Sequence, residues 1–215
     1  MTRPILGSAH ERDAGHPGGG AARNSPGELA GIAFPAARRP RLVLPAIDEW
    51  PEAVRSAERI RGSLVACGPG MRPVGWPETP RVRLAALAPW LGTRYVAIRL
   101  TAAWVWGAAK HPGSPIECST HGRKRAPSFT SPGLTVYEHM LTSDDICRIG
   151  VQCVTTPTRT LCDLLRSAAP HHITERVACR LLLARHPGGR AAVHMALNTG
   201  ARRYRRIATA RLREL

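Results

Sequence analysis

One short stretch limits the fold more than any other. Residues 151–155 (Val-Gln-Cys-Val-Thr) run without a spacer into Thr156-Pro157-Thr158-Arg159-Thr160-Leu161-Cys162-Asp163-Leu164-Leu165. Four of the first five are β-branched or apolar, and the run predicts a strand. Thr156 suits the N-cap position, where a hydroxyl accepts a hydrogen bond from an unpaired amide of the first turn. Pro157 suits the first helical position, where its missing N–H costs nothing. Leu161, Leu164 and Leu165 then carry an apolar face to about Ser167. A strand that feeds directly into a helix calls for mixed α and β structure.

The rest of the chain fits that class. Residues 48–60 are predicted helical, with Pro51 in the first turn and Trp50, Val54, Ala57 and Ile60 at helical spacing, and Gly62 ends the helix. Residues 63–67 and 71–74 are short apolar runs around Gly68-Pro69-Gly70, which reads as a two-stranded ribbon with a tight turn. A second amphipathic helix is expected over 80–91 (Val82, Leu84, Leu87, Leu91), and a third over 100–106, stopped by Gly107. Strands are expected at 116–120 and 134–139. Ser143 with Asp144-Asp145 reads as a cap on a short helix. From His171 onward the pattern is helical. Ile173, Val177 and Leu181 share a face, Pro187-Gly188-Gly189 makes a break, and Tyr204, Ile207, Ala208, Leu212 and Leu215 form the stripe of a last helix. The expected fold class is α+β, with a helical C-terminal segment.

Composition narrows the function. The 215 residues carry 31 Lys+Arg against 15 Asp+Glu, a net charge of +16. Only Lys110 and Lys124 are lysines, so the excess is guanidinium, which binds phosphate in bidentate fashion. Such a surplus concentrates polyanions near the surface. Half of it lies in residues 171–215, where ten arginines face only Glu175 and Glu214. On a helical wheel Arg202, Arg206 and Arg213 fall opposite the last apolar stripe. That face is either simply solvated or follows a phosphate backbone. Residues 1–40 hold seven Gly and five Pro without periodicity and are expected to lack a fixed structure, with a basic cluster at 38–41. They lack the apolar core of a signal peptide, and no run of 18 apolar residues occurs, so a cytoplasmic location without membrane contact is expected. The six cysteines (67, 118, 147, 153, 162, 179) do not suggest a disulfide framework.

Three stretches carry a family resemblance. They are 61–73 (Arg-Gly-Ser-Leu-Val, then Gly-Pro-Gly-Met-Arg-Pro), Leu100-Thr101-Ala102-Ala103-Trp104-Val105-Trp106-Gly107, and the Thr-Pro-x-Arg-Thr-x-x-Asp signature from Thr156 to Asp163. In order and spacing, over about residues 45–200, the chain resembles actinobacterial proteins of the AbiEi-like type IV toxin–antitoxin antitoxin family. The resemblance implies a winged helix that binds DNA at the gene's own promoter, and a domain that neutralises a nucleotidyltransferase toxin. It divides the chain into a 1–40 tail, a reduced winged-helix-like region at 41–75, an antitoxin-type domain at 76–170 and an Arg-rich helical segment at 171–215. The first region is reduced because one helix precedes the wing candidate, and because its five basic residues meet four acids. The expected DNA-contacting residues are Arg55, Arg59, Arg61, Arg72, Arg202, Arg206 and Arg213. Which end meets the polyanion stays open.

Catalytic readings are weaker. Arg159 and Asp163 stand four apart and read as a helix-face ion pair. Trp104 and Trp106 read as core anchors, with partner contact as the alternative. Cys118 and His121 have ligand-like spacing, but a structural zinc site needs two such pairs, and His171, His172 and Cys179 are too isolated to supply the second. No cofactor is expected. Many relatives continue into a restriction-endonuclease-like domain; residues after Arg190 offer one acid, Glu214, so a two-carboxylate metal site is not expected. The competing class is a basic protein-interaction module without sequence-specific DNA binding, directed at RNA or an acidic partner.

Overall fold

The structure is a computed structural model that describes residues 46–121, 125–126, 132–199 and 203–215. The 1–40 tail, the basic cluster at 38–41 and Arg202 lie outside the described residues. The fold is α+β. A 3-10 turn, Ile47–Glu49, leads to α1 (Glu52–Ile60) and an antiparallel hairpin of β1 (Leu64–Cys67) and β2 (Gly70–Pro73), with Leu64 opposite Pro73 and Cys67 opposite Gly70. Then come α2 (Pro80–Ala86), α3 (Ala88–Leu91), β3 (Tyr95–Ala97), α4 (Arg99–Val105), β4 (Ile116–Thr120) and β5 (Leu134–Tyr137). A second 3-10 turn, Ser143–Asp145, precedes β6 (Ile146–Ile149) and β7 (Gln152–Thr155). The chain ends in α5 (Pro157–Leu165), α6 (Ile173–Ala184), α7 (Gly189–Thr199) and α8 (Arg205–Glu214).

The larger sheet has the order β5-β4-β3-β7-β6. Its central strand β3 runs parallel to β7 and antiparallel to β4. Alternation gives the strands two faces. One face presents Tyr95, Ala97, Ile116, Cys118, Leu134 and Val154 to a core completed by Leu84 of α2, Leu87 just after it, Trp104 of α4 and Cys67 of the hairpin. The other presents Val96, Ile98 and Cys153 to Leu141. A third core joins Ala103 of α4 to Leu161, Leu164 and Leu165 of α5 and to residues of α6, α7 and α8. Helix α4 is therefore shared: Trp104 and Val105 pack toward the sheet and Ala103 toward the helical layer. Trp106 packs against both, and its indole donates to Thr155 O at 2.8 Å.

The strand-to-helix junction forms as its residues dictate. Thr156 Oγ1 accepts from the Arg159 amide at 3.3 Å, and Pro157 stands at the first helical position. Elsewhere the structure corrects the reading. The helix expected over 48–60 is split, because Trp50 and Pro51 are extended (ψ 145° and 141°) and helix geometry begins at Glu52. The expected stripe of α1 faces outward: Val54 is 44% exposed and Ile60 82%, and α1 buries no residue. The helix expected over 80–91 breaks at Leu87, two residues before Pro89, which has no N–H to bond back to Ala85. On α6 the stripe of Ile173, Val177 and Leu181 is also exposed, and the buried residues are Ala178, Cys179 and Leu182. The cap of the second 3-10 turn is Thr142, whose amide donates to Asp145 Oδ2 at 3.0 Å.

Candidate nucleic-acid interface

Three of the four N-terminal arginines expected to meet DNA are engaged at home. Arg55 pairs with Glu52 on α1, and Arg61 pairs with Glu58 at 2.6 Å. Arg72 folds back along its own loop: its Nη1 donates to Trp76 O at 2.6 Å, and its Nη2 meets Glu78 at 3.4 Å. Arg59 is exposed, with no ion-pair partner among the described residues. The hairpin turn does not stand clear like a free wing. A Cβ at Gly68 would come within 2.6 Å of the Trp104 ring, so the turn lies against the shared helix.

The C-terminal segment is different. Among the described residues all seven ion pairs fall between Glu52 and Asp163. The arginines of α6–α8 include two sets with different surroundings. One set caps helix ends, where carbonyls lack intrahelical partners and the helix dipole attracts positive charge. Arg211 donates to the carbonyls of Leu165, Ser167 and Ala169 at 3.1, 2.7 and 2.7 Å, closing α5. Arg190 donates to Leu212 O at the end of α8, and Arg185 reaches Trp106 O after α4 at 3.3 Å. The other set, Arg176, Arg180, Arg206 and Arg213, is exposed and unpaired among the described residues. Of the residues expected to contact DNA in this segment, Arg206 and Arg213 are thus exposed without an ion-pair partner among the described residues.

A second polar arrangement crosses the sheet face that carries Val96 and Ile98. Arg99, the first residue of α4, has φ +48°, a left-handed conformation that is costly for a residue with a side chain. It meets Glu117 at 3.0 Å and donates to Ser167 Oγ at 3.2 Å, and its guanidinium lies 5.5 Å from the Tyr137 ring. Glu117 also accepts from the Leu100 amide at 3.2 Å and the Tyr137 hydroxyl at 3.4 Å. The Tyr137 ring meets His139 edge-on at 5.6 Å. On α5, Arg159 pairs with Asp163 at 2.9 Å and with Asp145 at 2.8 Å. Arg159 and Asp163 stand four apart on α5, and Ser167 follows just past its end, so this polar edge faces the network.

Its electrostatics are those of a brace. Burial pushes the Glu117 carboxyl up, and Arg99 opposes the rise. Burial also pushes Asp163 up, against the pull of Arg159. Burial works against the Arg159 charge, but Asp163 and Asp145 outweigh it and raise its pKa. His139 is held below its usual value, first by burial and then by Arg159 and Arg99, with Asp163 opposing. Arg99 has Glu117, and Arg159 has Asp163 and Asp145, so both guanidiniums are paired within the network. Arg159 and Asp163 are the helix-face pair that their spacing predicts. Spacing gives no hint of Arg99, Glu117, Tyr137 and His139: Arg99 and Ser167 are 68 residues apart, and no sequence pattern joins them.

The remaining candidates are packing residues. Cys118 points into the sheet-side core, and burial lifts its thiol to about 12. Cys179 is likewise raised to about 12, with its sulfur 3.6 Å from His171 Nε2. All six cysteines are free. Among the described residues no three His, Cys, Asp or Glu side chains converge as metal ligands. None of the described helices is long and apolar enough to cross a membrane. No family model, curated protein or solved structure matches the chain.

Proposed function

We propose that this chain is a non-enzymatic, AbiEi-like antitoxin or transcriptional regulator that holds duplex DNA electrostatically through α6–α8. One observation carries the reading: Arg176, Arg180, Arg206 and Arg213 are exposed with no ion-pair partner among the described residues, and every ion pair among those residues lies earlier in the chain. Uncompensated guanidinium groups on a folded surface release counterions when they meet phosphates, which drives binding without reading sequence. Sequence readout falls to Arg59, the arginine of α1 without an ion-pair partner among the described residues. The gene's own promoter is the proposed target, and a nucleotidyltransferase toxin the proposed protein partner; both rest on the resemblance alone.

A salt titration against promoter duplex tests this. Log affinity should fall linearly with log salt, and Arg206→Gln with Arg213→Gln together should reduce the slope by about two. Arg59→Gln should weaken preference for the promoter over a scrambled duplex and leave most of the slope intact. No binding at low salt would sink the proposal.

A second reading, a basic protein-interaction module, is favoured by the exposed stripe of Ile173, Val177 and Leu181 beside Arg176 and Arg180. Val177→Ser with Leu181→Ser separates the two. A DNA-holding surface keeps its salt slope in that variant, whereas a partner-docking face loses its protein complex.

A further inference from the structure

Between the hairpin and the sheet lies a cleft of about 440 Å³. Its floor is Val82, Ala85 and Ala86 of α2, and its sides are Met71 and Arg72 of β2, Pro89 and Trp90 of α3, and the β6–β7 turn around Gly150. That volume is in the range of small-molecule pockets, and the position, where two substructures meet, is where such pockets occur. Two indoles, Trp76 and Trp90, line it half-buried. Trp106 gives its indole N–H to a carbonyl, whereas no acceptor meets the N–H of Trp76 or Trp90 among the described residues. The guanidiniums of Arg55 and Arg72 stand in the wall, each with a carboxylate partner, and their Nε atoms are buried without an acceptor among the described residues. Arg81 also lines the cleft, exposed and without an ion-pair partner among the described residues. Asp48 and Glu49 occupy the side formed by the first 3-10 turn.

From this arrangement we infer that the cleft binds a small, flat aromatic acid: a ring system lying against Trp76 and Trp90, with its anionic group at Arg81. Apolar floor and indole faces supply most of the contact, and aromatic rings prefer offset or edge-on packing with such partners. The indole N–H groups of Trp76 and Trp90 have no acceptor among the described residues, so an acceptor on the ligand matches them. Arg81, unlike Arg55 and Arg72, has no ion-pair partner among the described residues, which makes it the cation that an acidic ligand can recruit. The proposal does not depend on nucleic-acid binding and is tested without it.

The probe is 1-anilinonaphthalene-8-sulfonate, a flat aromatic sulfonate, titrated into the full chain and followed by its own fluorescence and by tryptophan quenching. One equivalent should bind, and its uncharged counterpart N-phenyl-1-naphthylamine should bind about tenfold more weakly, as expected for loss of one charged contact. Arg81→Gln should reduce sulfonate affinity by about tenfold and leave the neutral probe unchanged, a difference that a purely structural role for Arg81 would not produce. Ala85→Phe should block both probes, while Val177→Ser, which trims the exposed stripe on α6, should block neither. The inference is overturned if both probes bind equally, if Arg81→Gln leaves the sulfonate unaffected, or if binding follows Val177 rather than the cleft. Arg81 is exposed, so that variant reports even where Ala85→Phe does not fold.

Discussion

Arginine is used in this molecule in three distinct ways, and the distinction is made residue by residue. Arg159 is the clearest structural case: it serves Asp163, whose side chain is 5% exposed, and Asp145 at the same time. Removing the cation while leaving a buried carboxylate behind is the costly way to break such a pair. Arg159→Ala should therefore destabilise the fold by about 3–5 kcal/mol, read from a shift in the urea midpoint at constant m-value. A cost under about 1 kcal/mol would mean that water already reaches Asp163. The neighbouring His139 adds a pH dependence whose sign follows from its surroundings. Its folded-state pKa is depressed below the ordinary value near 6.5, so between the two values the unfolded chain holds more protons. Stability contributed by neutral His139 is present above about pH 6.5 and is lost as pH falls toward the folded value. His139→Gln should flatten that acid-side loss relative to the parent. Burial depresses His171 in the same direction, so it adds to any slope that remains in the variant.

At the level of elements, the hairpin shows how a turn is tied to a helix far from it in sequence. Gly68 has φ +57°, and its missing Cβ leaves room for the Trp104 ring. Gly62 is also at positive φ (+80°), but a methyl group added there would meet nothing within 4 Å. Gly62→Ala should cost about 1 kcal/mol through backbone strain alone, and Gly68→Ala clearly more, because the ring must move as well. Equal thermal shifts for the two would mean that the turn is not docked. The same contrast explains what the sequence makes legible. The strand-to-helix junction at Thr156-Pro157 is readable because cap, proline and leucine spacing act within one turn. Strand β3 is not: Tyr95-Val96-Ala97 is three residues long and passes directly into a helix, too short for alternation to register, yet it is the central strand. The exposed stripes of α1 and α6 are legible as stripes, but spacing cannot say whether an apolar face meets a core or solvent. For the site, charge along the sequence locates the surplus on the C-terminal segment. It does not separate Arg211, which closes a helix, from Arg206, which has no ion-pair partner among the described residues.

For the whole molecule, the two arginine sets of α6–α8 have separable consequences. Those that close helix ends bind the helical layer together whatever the salt, because their carbonyl partners are within hydrogen-bond reach. The exposed ones contribute repulsion in low salt and attraction to phosphate, so DNA and moderate salt should both relieve the same strain. The sheet and the helical layer meet through α4, and its residues divide between two cores. A shared wall of this kind leaves neither room free-standing. The amides of Ala102 to Val105 should consequently be the last to exchange with deuterium, opening only when the entire chain unfolds, while α1, with nothing buried, exchanges early.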